Sequence, residues 1–243
     1  VDVDSIEAIN KRTWSEKWAE YRKKPGSFIM FILVHLATLI TVLSIGFLLV
    51  YVLVKGVPNL NADIFSWEYT SDNCSLVPAL INTVYMTLLS LLIAGPIGIF
   101  AAIYLVEYAK TGNKLVGVVR ITAETLTGIP SIVYGLFGML FFTNACGLRL
   151  SLISGALTLA IMVLPVIMRT TEEALMAVPK SYREGSFGLG AGKLRTVFKV
   201  VLPSAVPGIL SGIILATGRI VGETAALIYT AGSVAKMATK LTD

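Results

Sequence analysis

Apolar residues occur along this chain in long blocks, not at the short spacing of a soluble helix or strand. A helix needs roughly 20 apolar residues to cross a bilayer core of about 30 Å. We expect five blocks to form membrane-spanning helices, over residues 27–54, 76–106, 121–142, 150–168 and 205–228. The pattern therefore predicts an all-α polytopic membrane protein with five spans in this sequence.

Two of the predicted spans contain residues that interrupt helices. Gly95 and Pro96 lie inside the second block, where they predict a kink. Gly128 and Pro130 lie inside the third block, where they free backbone groups that must face protein or a water-filled cavity. Broken helices of this kind often border transport sites. A simple kink and a break beside a transport site both remain open.

The distribution of basic residues predicts the orientation of the spans. Fifteen of the 20 Lys and Arg residues lie in the N-terminal segment or in the connections after the second and fourth blocks. The two opposite connections hold only Lys55 and Arg149. The positive-inside rule places the N-terminus in the cytoplasm, so we expect a cytoplasmic segment over residues 1–26 and a membrane domain over 27–243 of the inner or plasma membrane.

Composition excludes several classes of function. Hydrophobic residues make up 55% of the chain and charged residues 14%, against roughly 25% charged residues in a soluble domain. A soluble enzyme does not fit these values, and topology explains the net charge of +5 without nucleic acid. The single histidine, His35, lies in an apolar block, and no metal-ligand cluster is apparent. Cys74 and Cys146 both fall on the predicted outer side, where a disulfide and two separate thiols both remain open.

One long polar connection, over residues 170–203, interrupts the closely spaced spans. Pro179 ends the preceding helix, and the sequence from Ser181 to Glu184 matches a capping box that would begin a new one. Three glycines follow, beside Lys193. They do not form a phosphate-binding loop, because the first glycine of that motif and its final Ser or Thr are both missing.

This connection resembles the EAA loop of ABC-importer permeases. The family pattern is Glu-Ala-Ala, three residues, Gly, nine residues, and then Ile-x-Leu-Pro. The chain has the same spacing, although Gly185, Ser186 and Val200 differ from the commonest residue types. An amphipathic helix lying on the lipid surface is the alternative.

The resemblance implies that this loop forms a short coupling helix, which docks on a separate ATPase subunit and transmits its closure to the spans. A rigid helix bounded by flexible glycine suits such a rigid-body shift. We expect Gly190 to bend the chain after this helix with a positive φ that only glycine tolerates. The residues carried over from the motif are Glu184, Gly185, Ser186, Gly190, Leu202 and Pro203.

Two charged residues lie inside the fifth predicted span, where charges are costly and usually functional. Arg219 and Glu223 are four residues apart, so a continuous helix places them on one face. They could form an ion pair that only neutralises itself. Alternatively, the guanidinium of Arg219 offers a binding station for an oxyanion, while Glu223 positions it and accepts a proton from protonated phosphate, which sulfate lacks. Glycines at 208, 212, 218 and 222 let helices approach closely, either within the chain or between subunits.

Two further runs, GIPSIVYGLFG from Gly128 and GRIVGETAAL from Gly218, resemble the PstA-type permeases of the phosphate-specific ABC importer. The resemblance covers roughly residues 28–235. It implies the type I ABC-importer permease fold, with about six spans in the complete chain. The substrate-pathway residues that we carry over or infer are Gly128, Ser131, Tyr134, Arg219 and Glu223.

The resemblance also implies partners. They are a homologous second permease in a heterodimer, two ATPase subunits, an extracytoplasmic phosphate-binding protein and phosphate, without nucleic acid. ATP and Mg²⁺ would bind to the ATPase, so we expect this chain to bind no cofactor and to be no enzyme. An ABC permease for another oxyanion, such as sulfate or molybdate, remains an alternative, and an ATPase-independent channel or carrier is a weaker one.

Overall fold

The computed structural model describes residues 25–71, 73, 75–110, 112–233 and 237. This part of the chain is helical and contains no strand. Its nine α-helices are α1 Pro25–Gly56, α2 Val77–Ile103, α3 Lys114–Thr127, α4 Ser131–Gly138, α5 Leu152–Ala177, α6 Lys180–Gly188, α7 Lys193–Thr196, α8 Leu202–Val221 and α9 Ala225–Thr230. Wider π-helical turns extend α2 over Tyr104–Tyr108 and α4 over Met139–Ala145, and a third, Val197–Val201, joins α7 to α8.

The chain divides into two compact units, Val1–Asn61 and Ala62–Asp243. The first unit contains α1, whose 32 residues extend about 48 Å and suffice to cross a bilayer. A short 3₁₀ turn, Val57–Asn59, follows α1. Residues 1–24 lie outside the described part, so the predicted cytoplasmic segment over 1–26 stays a prediction.

In the second unit, α2 and α5 are the central pair and run in the same direction. The Ser90 hydroxyl donates to the Ala156 carbonyl at 3.0 Å, and further along Gly98 packs against Ile167. A Cβ on Gly98 would lie 3.0 Å from the Ile167 side chain, which shows how closely these helices approach. Pro96 lies inside α2, which continues to Ile103, so the kink that the sequence predicted there stays a prediction.

Helices α3 and α4 form one interrupted span with a bend of 103° between them. Along α3, Arg120 contacts Glu172 of α5, and beyond the bend Gly138 lies against Thr158. As residue numbers rise along α3 and α4, the numbers of the α5 residues that they contact fall, from Glu172 to Thr158. The bent pair therefore runs antiparallel to α5. Since α2 and α5 are parallel, the chain between them crosses back once. The predicted third span is confirmed as a crossing and corrected to two helices.

The polar connection is shorter than predicted. Helix α5 runs past the apolar block that ends at Met168 and ends at Ala177, which confirms that the helix stops before Pro179. The next long helical segment begins at Lys193, earlier than the predicted start of the fifth block at residue 205. The predicted loop over 170–203 is thus largely helical, and only residues 178–192, which include α6, connect the two long segments. The reason is that Glu172 continues the helix and is buried there, paired with Arg120 at 2.5 Å.

Helix α8 packs antiparallel against α5 through small residues. A Cβ on Gly208 would lie 2.6 Å from the Ala174 side chain, and one on Gly212 would overlap Thr170. The first glycine pair therefore serves packing within the chain. A Cβ added to Gly218 would have no neighbour within 4 Å among the described residues, so the subunit-interface alternative stays open for the second pair.

Two buried clusters hold this unit together. One lies towards the end of the bundle that carries α6 and joins α2, α5 and the start of α8, with Leu175, Val197 and Val201 at its centre. The other lies near the middle of α5 and includes Leu159, Met162, Tyr134 and Ile220. The second cluster fixes the end of α8 against the bend between α3 and α4, where the candidate site is found.

Candidate functional site

The break between α3 and α4 is held by a side chain from beyond it. Helix α3 ends at Thr127, and Ser131 begins α4 after Gly128, Ile129 and Pro130. The hydroxyl of the buried Tyr134 donates to the Leu126 carbonyl at 2.8 Å, and this carbonyl also accepts from the Ile129 N–H at 3.1 Å. The sequence indicated an interruption here, and the structure makes it a break with a defined hydrogen bond.

A second break follows α8. The helix ends at Val221, and the N–H of Gly222 donates to the Gly218 carbonyl at 3.1 Å. Glu223 lies beyond this end, and its Oε1 accepts a hydrogen bond from the Ala226 N–H at 3.0 Å in the first turn of α9. The prediction that Arg219 and Glu223 share one face of a continuous helix is therefore wrong, because the helix ends between them. They form no ion pair with each other.

The two breaks meet. Gly135 of α4 packs so closely on the start of α9 that an added Cβ would lie 2.8 Å from the Ala226 Cα. Ile220, next to Arg219 in the last turn of α8, lies in the same buried cluster as Tyr134. The structure thus brings Tyr134, Arg219 and Glu223 into one region near the middle of the bundle, with Gly128 and Ser131 at the adjoining break.

Arg219 lines an open groove of about 700 Å³ between α5 and α8. Its guanidinium is half-buried and makes no ion pair with any carboxylate in the described part of the chain. Thr127, at the end of α3, and Thr170, on α5, also line this groove. Both hydroxyls donate to backbone carbonyls, those of Ala123 and Val166, so the cations supply the free donors in this groove, which Glu173 also lines. An arginine at a helix break, open to a groove, is an arrangement suited to an anion.

Sequence reasoning missed a group of charged residues on the same side of α5. Arg169 lines the groove together with Arg219. Its Nε lies 3.2 Å from Oε1 of Glu173, and its Nη1 lies 3.8 Å from Oε1 of Glu124 on α3. Glu172 pairs with Arg120 as described above. A signal was available for Arg169 and Glu173, whose four-residue spacing is typical of paired charges on a helix. The Arg120–Glu172 and Arg169–Glu124 contacts join different helices and had no local signal.

The EAA-like segment contains α6 and the turn that ends it. The predicted capping box is wrong, because α6 begins at Lys180, directly after Pro179, and no side chain caps its N-terminus. Glu184 and Gly185 are exposed on α6, whereas Ser186 hydrogen-bonds Thr196 of α7 at 2.8 Å. Leu202 and Pro203 form the first turn of α8.

The prediction for Gly190 is confirmed, since its φ is +83°. The Gly190 N–H donates to the Phe187 carbonyl at 2.9 Å, and the Ala191 N–H donates to the Ser186 carbonyl at 3.1 Å. This pair of hydrogen bonds is the Schellman arrangement that closes a helix with glycine in the left-handed region. Gly192, two residues after Gly190, has an extended backbone and directly precedes α7.

Other candidate chemistry is sparse in the described residues. They contain no group of three His, Cys, Asp or Glu side chains that could hold a metal ion. Cys146 is an exposed free thiol. Cys74 lies outside the described part, so both alternatives, a disulfide and two separate thiols, stay predictions.

Comparison with known proteins agrees with this arrangement. The family model described as "Binding-protein-dependent transport system inner membrane component" matches residues 94–242. The chain is 38% identical over 203 residues to the probable ABC transporter permease protein YqgI of Bacillus subtilis, covering 81% of this chain and 67% of that protein.

Several relatives are named phosphate transport system permease protein PstA, and two of them illustrate the range of similarity. The one from Xylella fastidiosa (strain 9a5c) is 40% identical over 179 residues, or 73% of this chain and 62% of the relative. The one from Haemophilus influenzae is 32% identical over 213 residues, or 87% and 75%. A solved structure of the MetNI methionine ABC transporter in inward-facing form aligns with a TM-score of 0.50 and 25% identity, covering 60% of this chain and 68% of that one. The chain thus spans between about three fifths and three quarters of these relatives.

Proposed function

The chain belongs to the family of binding-protein-dependent transport system inner membrane components, and from this premise we propose that it is the PstA-type permease subunit of an ATP-driven importer of inorganic phosphate. The family assignment covers the type of protein, a multi-pass membrane subunit of an ABC transporter. The choice of phosphate is our inference. It draws on the names of the PstA relatives, whereas the name of YqgI states no substrate.

The observation that carries the proposal is the position of Arg219. Its guanidinium lines the groove beside two helix breaks and has no described carboxylate as partner. Guanidinium binds phosphate oxygens through two parallel N–H donors, and its planar fork loses little entropy for each hydrogen bond formed. We therefore assign Arg219 as the binding station for the anion, with Tyr134 and Ser131 beside it at the break.

Glu223 has a different role in this proposal from positioning Arg219. Its Oε1 is used by the backbone of α9, and Oε2 makes no hydrogen bond to a described residue. A carboxylate oxygen accepts a hydrogen bond from protonated phosphate, whereas sulfate at neutral pH offers only acceptors and would be repelled. Glu223 would thus favour phosphate over sulfate by this difference in protonation, and Gly128 would leave the break open for the anion.

The remaining parts of the importer follow from the family. We propose that the pathway is completed by a homologous second permease, that an extracytoplasmic binding protein delivers phosphate, and that two ATPase subunits dock on α6. ATP and Mg²⁺ would bind to those subunits and not to this chain, which would carry out no hydrolysis. The exposed Glu184 and Gly185 would belong to the docking surface, with Ser186 and Gly190 shaping it and Leu202 and Pro203 leading into α8. By the positive-inside rule, the basic residues near α6 favour a cytoplasmic position for this surface, and for the N-terminus with it.

Uptake measurements with the complete importer test the substrate. The complex would be reconstituted in proteoliposomes with its binding protein, labelled phosphate and either ATP or no nucleotide. We expect uptake that requires ATP and persists in a large excess of sulfate. Uptake abolished by sulfate would replace phosphate with another oxyanion, and uptake without ATP would refute an ATP-driven importer in favour of a channel or carrier.

A further inference from the structure

A single arginine occupies the corner where α5, α6 and the end of α2 meet. Arg183 lies in the second turn of α6, and its Nε and Nη2 donate to Glu107 Oε1 at 3.0 and 2.6 Å. Its Nη1 donates to the Val178 carbonyl at 2.9 Å, and Nη2 also donates to the Leu175 carbonyl at 2.9 Å. One guanidinium therefore contacts three segments of the chain.

These contacts are well shielded from solvent. Only 18% of the Arg183 side chain and 9% of the Glu107 side chain are exposed. The carbonyls at the C-terminus of α5 have no partners within that helix, so the guanidinium supplies donors that they would otherwise lack. A shielded charge pair whose guanidinium makes four hydrogen bonds holds one geometry more firmly than an exposed ion pair does.

The chain itself provides little else to fix α6 on α5. Val178 and Pro179 alone connect the two helices. On its other side, α6 is attached to α7 by the Ser186–Thr196 hydrogen bond, and Lys193 of α7 lies 5.0 Å above the Tyr108 ring. Glu107 and Tyr108 are neighbours in the π-helical turn that ends α2. The end of α2 therefore meets both sides of the coupling segment.

We propose that Arg183 is the positioning residue that makes α6 move as one body with α2 and α5, so that a displacement of α6 reaches both helices. This inference rests on the proposed function, in which α6 receives the movement of an ATPase. Arg183 itself touches neither phosphate nor nucleotide. Its part is to prevent α6 from pivoting about the Val178–Pro179 connection, and Glu107 is the counter-charge that anchors it to α2.

Two substitutions separate this role from a general contribution to folding. Arg183→Lys keeps the charge, but one ammonium cannot reach acceptors on three segments. Glu107→Gln keeps the shape of the side chain and removes its charge. Lys110→Gln is the control, because Lys110 is exposed near the same end of α2 and makes no ion pair with a described residue.

The experiment uses the complete importer in proteoliposomes and measures phosphate imported per ATP hydrolysed. We expect this ratio to fall about tenfold or more in Arg183→Lys and less in Glu107→Gln, while ATP hydrolysis continues. The Lys110→Gln ratio should equal that of the parent. Amide hydrogen exchange in residues 180–188 should be faster in the two test variants than in the parent and control.

A parental ratio together with unchanged exchange in both test variants would overturn the inference. So would lower yield or thermal stability at a parental ratio, because the pair would then only support the fold. If the parent complex imports no phosphate, the proposed function fails. The exchange comparison needs no substrate, and in that case unchanged exchange in residues 180–188 would still refute the anchoring role, whereas faster exchange would support it.

Discussion

Gly190 is the residue whose backbone most narrowly limits substitution in the coupling segment. Its φ of +83° lies in the left-handed region, and two hydrogen bonds to the end of α6 hold it there. An L-residue in this region loses about 1–2 kcal/mol, and a β-branched residue more. Space is not the limit, since a Cβ on Gly190 would have no neighbour within 4 Å in the described residues.

We predict that Gly190→Val leaves the subunit in the membrane but weakens its coupling to the ATPase, because the strained turn shifts the end of α6. Copurification of the ATPase and phosphate uptake would both decrease. Gly188→Ala is the matched control, because Gly188 lies at the end of α6 with open space around it and without a positive φ. Normal ATPase recruitment and uptake in Gly190→Val would contradict the prediction.

The four-residue separation of Arg219 and Glu223 led to a wrong prediction of how the two side chains lie. A separation of four residues places two side chains together only while the helix continues. Here Gly222 closes α8, and Glu223 serves the backbone of α9 instead. Gly222 is itself a frequent helix-ending residue type, but the surrounding apolar run favoured a continuous span. The position of Arg219 within an apolar helix was predictable, whereas the partner of Glu223 was not.

At the scale of elements, glycine contacts set how α4 packs in the bundle. A Cβ on Gly138 would overlap the side chains of Thr158 on α5 and Thr230 on α9. Thr158 is buried and hydrogen-bonds the Ser154 carbonyl at 2.9 Å, so it cannot easily move away. Close packing of three helices therefore depends on the absence of a side chain at this position.

Gly138→Ala should consequently destabilise the subunit, by about 1–3 kcal/mol for an overpacked site. Thermal unfolding of the purified complex in detergent would show this as a lower midpoint. Gly117→Ala in α3 provides the comparison, since no atom lies within 4 Å of its added Cβ in the described residues and its midpoint should not fall. Equal midpoints for the two variants would show that the packing around Gly138 yields without cost.

The sequence predicted where the long helices occur better than it predicted where they end. Apolar runs located every long helix, because the bilayer demands such runs. They did not reveal that α5 continues past its apolar run to Ala177, since this depends on a tertiary partner, Arg120, for the buried Glu172. Likewise Gly128 and Pro130 indicated an interruption, but the bend of 103° depends on what α3 and α4 pack against.

At the scale of the whole molecule, α2 and α5 of the second unit run in the same direction. The chain between them must therefore cross back once. Four long helical segments and the bent pair give the five crossings that the sequence predicted. Contacts along α5 decide that the bent pair is one crossing, and no local pattern could have shown this. The cytoplasmic position of the N-terminus stays a prediction, because it depends on charge distribution and not on internal contacts.

The central claim, that Arg219 binds the transported anion, is tested most directly by phosphate uptake into proteoliposomes containing the complete importer with Arg219 and Glu223 variants. Losing one charge-assisted contact costs about 1.5–3 kcal/mol, so Arg219→Gln should lower uptake about tenfold to hundredfold while the complex still assembles. Arg219→Lys should also be poor, because an ammonium lacks the planar fork. The exposed Arg149→Gln is the control and should import normally. The account predicts that the double variant Arg219→Gln with Glu223→Gln stays inactive, and near-parental uptake by that double variant would contradict it.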